Sequence, residues 1–95
     1  MKRADLLERL KTLKPWLAGR GVARLRVFGP HARDTAEAAD GIDLLVDFSR
    51  RISLMELIGL EQELSKRLAA PVQLSTTEGM KSRLLRRIEG EAMEA

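Results

Sequence analysis

Leucines recur at three- and four-residue steps at Leu6, Leu7, Leu10, Leu13 and Leu17. That spacing predicts a helix over residues 5–18, with Asp5 as its N-cap. Pro15 should kink or shorten the last turn, and Gly19 and Gly21 should end it. Residues 23–28 then alternate, with Leu25 and Val27 on one parity and Arg24 and Arg26 on the other. This pattern predicts a strand with one buried and one wet face, stopped at Gly29-Pro30. Residues 31–40 are polar and Ala-rich, and Thr35–Ala39 could form a short turn of helix.

A second strand is predicted over residues 42–48, where Ile42, Leu44, Val46 and Phe48 form a fully apolar parity. Ser53 followed by Glu56 is a capping-box pattern. It opens a helix to about Leu68, with Leu54, Leu57, Ile58, Leu64 and Leu68 on the expected buried stripe. Residues 71–75 read as a short third strand. A last helix is expected from about Gly79 to Ala92, buried through Leu84, Leu85 and Ile88. The order α-β-α-β-α-β-α predicts an α/β chain of the α+β type, a small three-stranded mixed sheet covered by helices. Its 95 residues fit a single domain spanning 1–95.

Composition removes several chemistries. There is no cysteine, which excludes disulfides, thiolate metal sites and a cysteine nucleophile. The lone histidine, His31, makes a histidine triad or cluster improbable and is expected at the surface. The aromatics are Trp16, Phe28 and Phe48, so the core is aliphatic, and Trp16 is expected to cap its edge. No apolar run nears the roughly 18 residues of a membrane span, and a cytoplasmic protein is expected. The net charge of +3 reads as a solvated surface, so nucleic acid is an unlikely partner. Arg83, Arg86 and Arg87 are followed by Glu89, Glu91 and Glu94, which also reads as a solvated face.

The stretch Val27–Phe48 places a glycine turn and a carboxylate at neighbouring strand ends, an arrangement suited to a phosphate with a bound metal. Gly29-Pro30-His31-Ala32-Arg33-Asp34 and Asp40-Gly41-Ile42-Asp43-Leu44-Leu45-Val46, in register across ten residues, resemble the signature of the minimal nucleotidyltransferases of the DNA polymerase β superfamily. The pattern there is Gly-Ser, ten residues, then Asp-x-Asp. Downstream, Ser53-Leu-Met-Glu-Leu and Pro71-Val-Gln-Leu-Ser-Thr-Thr-Glu-Gly-Met are similar to later segments of that family. The resemblance covers nearly the whole chain and implies the nucleotidyltransferase fold. It also implies a triphosphate on the glycine turn, Mg²⁺ on two Asp-x-Asp carboxylates and a third carboxylate on the later strand.

At those positions this sequence has Pro30, without hydroxyl or N–H, Gly41, without a ligand, and Gln73, a neutral amide. Asp43 alone keeps a carboxylate, as a remnant metal ligand or as a solvated strand-end acid. Gly29 and Arg33 are the vestigial nucleotide contacts, although Arg33 could instead pair with Asp34, Asp40 or Asp43. Asp34 puts a negative charge near the expected triphosphate. Strand parity points Asp40 away from Asp43, and Asp47 lies about 13 Å along the strand. The expectation is therefore a catalytically silent protein with no assured cofactor. By the resemblance it acts in an antitoxin-like way on a HEPN-type ribonuclease toxin, or forms a homodimer. The alternatives are an active nucleotidyltransferase using ATP and Mg²⁺, or a silent nucleotide sensor.

Overall fold

In the computed structural model, which describes residues 1–78 and 80–95, two helices lead into a four-stranded sheet. Helix α1 spans Arg3–Thr12 and α2 spans Lys14–Gly19. The expected single helix is broken at Leu13, because Pro15 has no amide hydrogen for the ladder and sits in the first turn of α2 instead. Lys2, not Asp5, is the N-cap of α1. Asp5 lies in the first turn, where its charge opposes the helix dipole.

Strand β1 (Val22–Phe28) pairs antiparallel with β2 (Ile42–Phe48), and β2 pairs parallel with β3 (Val72–Thr76). The parallel pair needs a crossover, and α3 (Leu54–Leu68) supplies it. Both halves of the capping box are formed: Ser53 Oγ accepts from the Glu56 amide, and Glu56 accepts from the Ser53 amide. After α4 (Ser82–Glu89), a two-residue strand β4 (Met93–Glu94) pairs antiparallel with β1. The sheet order is β3-β2-β1-β4, so it is mixed as expected but has four strands rather than three.

Leu25, Val27, Ile42, Leu44, Val46, Val72 and Leu74 of one sheet face pack with Leu6, Leu10 and Leu17 of the first helices and Leu60, Leu64 and Leu68 of α3. Burying each such side chain contributes about 1.5–3 kcal/mol. Trp16 lies half-buried at the edge of this core, with the Arg67 guanidinium 4.2 Å and the Arg20 guanidinium 5.5 Å from its ring centroid.

Several local expectations are corrected. Leu54 and Ile58 are exposed; the buried stripe of α3 runs through Leu60, Leu64 and Leu68, with Leu57 packed at its edge. Helix α4 is shorter at both ends than residues 79–92. Its Leu84 is exposed, Leu85 is partly covered and Ile88 is buried, while Gly79 lies outside the described residues. Thr35–Ala39 form no helical turn; a 3₁₀ turn occupies Gly29–His31 instead. Arg26 is not on a wet face. It is only 5% exposed, held by Glu89 of α4 at 3.2 Å and Asp47 at 3.7 Å. The second sheet face is thus covered in part by α4. No helix among the described residues is long and apolar enough to cross a membrane.

Candidate functional site

Strand β1 ends where Gly29 turns the chain with a φ of +75°, a left-handed value that glycine adopts without a Cβ clash. Its carbonyl accepts from the amides of Ala32 and Arg33, and the Pro30 carbonyl accepts from the Thr35 amide. These bonds fold Pro30 and His31 back against the sheet. Asp43 of β2 stands opposite Phe28 of β1 and beside Gln73 of β3 in the strand registers. The turn therefore closes directly over the Asp43 side chain. A Cβ at residue 29 would lie 2.6 Å from Asp43 Oδ2, so the close approach of turn and carboxylate itself demands glycine.

Pro30, Asp40, Gly41, Asp43, Pro71, Val72 and Gln73 line one cavity of about 310 Å³. The fold thus assembles Pro30, Gly41, Asp43 and Gln73, positions that lie up to 43 residues apart in sequence, around a common space. Gly41 has room for a side chain, since a Cβ there would come no closer than 3.4 Å, to the Pro71 carbonyl oxygen. A larger cavity, about 720 Å³, lies between the far end of β2 and the start of α3 and touches none of these positions.

Asp40 departs from the expected geometry. It precedes β2, so strand parity does not govern it. It lines the cavity with Asp43, while its Oδ2 accepts from the Glu37 amide at 2.8 Å. Asp34 departs in the opposite sense: its Oδ1 accepts from the Arg3 amide at 2.9 Å, at the start of α1 and outside the cavity lining. Asp47 is engaged at the other end of the strand by Thr77 and Arg26. His31 is buried at 3% exposure rather than on the surface, and its Nδ1 has no partner among the described residues.

Burial pushes the Asp43 carboxyl above its ordinary range. The neighbouring His31 and the guanidinium of Arg33 pull it down, and the negative charges of Asp40 and Glu91 push it up. Arg33 pairs with none of Asp34, Asp40 or Asp43. Its guanidinium donates to Glu91 Oε2 at 2.7 Å, and Glu91 Oε1 accepts from the Gly29 amide at 3.1 Å. Glu91 is the residue that sequence reasoning missed. The sequence pattern reads its charge as part of a solvated face, because a contact across 58 or more residues leaves no local pattern.

The donor set does not fit two Mg²⁺ ions. Gly41 offers no ligand, Gln73 offers a neutral amide, Pro30 has no N–H, and the Gly29 amide is already bonded. Among the described residues, no three His, Asp or Glu side chains form a group that could hold a metal ion.

The sequence profile of the nucleotidyltransferase domain matches residues 3–94. A Methanocaldococcus jannaschii relative with a provisional protein adenylyltransferase name is 35% identical over 80 residues, covering 84% of this chain and 86% of its own. A solved structure, described provisionally as a minimal nucleotidyltransferase, superposes with a TM-score of 0.85 at 30% identity, covering 98% of this chain and 95% of that one. A chain from the complex of a tri-AMPylated Shewanella oneidensis HEPN toxin with MNT antitoxin shares the fold at a TM-score of 0.69. Its identity is 18%, with 94% of this chain and 69% of that one covered.

Proposed function

Since this chain belongs to the nucleotidyltransferase domain family, we propose that it is a non-transferring member that works by binding a protein partner of the HEPN type, in the manner of an antitoxin. The observation that carries the first half is the cavity lining. Of the four motif positions gathered there, Pro30, Gly41, Asp43 and Gln73, only Asp43 bears a carboxylate. Phosphoryl and nucleotidyl transfer depend on neutralising charge that develops on the transferred group. One partly buried carboxylate with a raised pKa is a poor anchor for the cations that do this. The partner half rests on the fold shared with an antitoxin–HEPN toxin complex.

One observation favours a second reading, transfer of an adenylate from ATP with a single Mg²⁺. Asp40 reaches the same cavity as Asp43, and one or two protein carboxylates are what a Mg²⁺ site commonly uses.

Both readings meet in one experiment. The purified chain is mixed with a HEPN-type protein from its own genome, with Mg²⁺ and ATP labelled on its α-phosphate. Complex formation is read by size exclusion and label transfer by gel. The proposal expects a complex, unlabelled, that forms equally well with Asp43→Asn. Label that disappears in Asp43→Asn establishes the second reading, and the absence of any complex removes the partner.

A further inference from the structure

Glu91 follows α4 and divides its carboxylate between two donors of the Gly29–Arg33 turn: the glycine amide receives one oxygen and the guanidinium the other. A left-handed glycine amide and an arginine fork are the donors that oxyanions take in general. The two bonds hold the Glu91 carboxyl below its ordinary range, with the Arg33 bond the larger cause. The segment has other anchors besides this contact. Glu89 pairs with Arg26, Glu94 pairs with Arg24, β4 pairs with β1, and the Ala95 amide donates to the Leu25 carbonyl at 3.0 Å. The contact also remains open to solvent, with the Arg33 side chain half-exposed and that of Glu91 about a third exposed.

We propose that Glu91 is a built-in ligand mimic: the C-terminal segment fills the chain's own oxyanion site, and a polyphosphate gains the Gly29 amide and Arg33 only by displacing the Glu91 carboxylate. This goes beyond the function above and holds whether or not any group is transferred.

The probe is inorganic tripolyphosphate, titrated by calorimetry at fixed ionic strength into wild type, Glu91→Gln and the double variant Glu91→Gln/Arg33→Ala. Glu91→Gln removes the competing charge and is expected to bind about tenfold tighter than wild type, or more, the factor set by one charge-assisted contact. The double variant is expected to lose that gain. In ¹⁵N-labelled Glu91→Gln, the Gly29 amide resonance is expected to move on addition of tripolyphosphate. Should Glu91→Gln fail to fold, Glu91→Asp keeps the charge but shortens its reach by one methylene, and it too is expected to bind more tightly than wild type. Equal affinity of wild type and the Glu91 variant, no binding to either at millimolar concentration, or a gain that survives loss of Arg33 would each overturn the proposal.

Discussion

Replacing Gly29 by alanine tests the central geometry of the site. Two costs are legible at this residue. The backbone has φ +75°, and an L-residue held there loses about 1–2 kcal/mol through its Cβ. That Cβ would also lie 2.6 Å from Asp43 Oδ2, so the carboxylate must rotate away from its preferred position, at about 0.5–1.5 kcal/mol. Gly29→Ala should therefore destabilise the fold by about 2–3 kcal/mol, a fall in Tm of roughly 10–20 °C for a domain of this size. A double-mutant cycle separates the terms. In an Asp43→Ala background the steric part vanishes, since the nearest remaining atom, the residue-43 Cβ, lies 3.5 Å away, and only the left-handed cost of about 1–2 kcal/mol is left. Urea denaturation of the four proteins at constant m-value supplies the numbers. A Gly29→Ala cost below about 0.5 kcal/mol, or the same cost in both backgrounds, refutes the claim that turn and carboxylate are packed against one another.

Two further outcomes follow from the described contacts. Ser53→Ala removes the side-chain half of the α3 capping box and should cost about 1 kcal/mol, read as a lower urea midpoint with m unchanged. The pH dependence has two opposed parts. The Glu91 pKa is lowered in the fold, so its contribution is full above the ordinary carboxylate range and is lost as pH falls through the lowered value. The Asp43 pKa is raised, so its ionised form weakens the fold above that value, and acidification relieves the penalty. Asp43→Asn should thus be more stable than wild type at pH 7, with the difference fading in acid; a less stable Asp43→Asn at pH 7 contradicts this assignment.

What could be read from the sequence was what is local. Ile42–Phe48 declares a strand through the fully apolar parity of Ile42, Leu44, Val46 and Phe48, and its bounds match. Ser53 and Glu56 declare a helix start because the capping box is completed within four residues. Pro15 marked the disruption at Leu13, although whether proline bends a helix or starts a new one depends on how the flanking turns pack. Leu54 continues the apolar spacing of α3, yet spacing gives only the direction of a side chain and not how far the covering layer extends. Strand β4 has two residues, too few to show a period. Arg26 and His31 differ from the pattern for a common reason: polar residues are buried by distant partners or neighbours, as α4 supplies for Arg26. At the site, Pro30, Gly41 and Asp43 of the motif and Gln73 of the later strand line one cavity. Asp40 and Glu91 reach it through a loop and the chain's last turn, whose courses no periodicity encodes.

The single tryptophan has an optical consequence. Trp16 belongs to α2 and meets the Arg67 end of α3, a segment about fifty residues away in sequence, and it packs on the aliphatic core. Its emission therefore reports whether the helical layer is closed over the sheet. The Gly29 turn contributes no fluorophore, so displacement of a side chain there leaves the spectrum unchanged. A substitution at the turn that shifts the Trp16 emission has loosened the helices as well, while one that leaves it constant has acted on the site alone. The molecule thus separates damage to its scaffold from changes in its ligand chemistry in a cuvette, with no added dye.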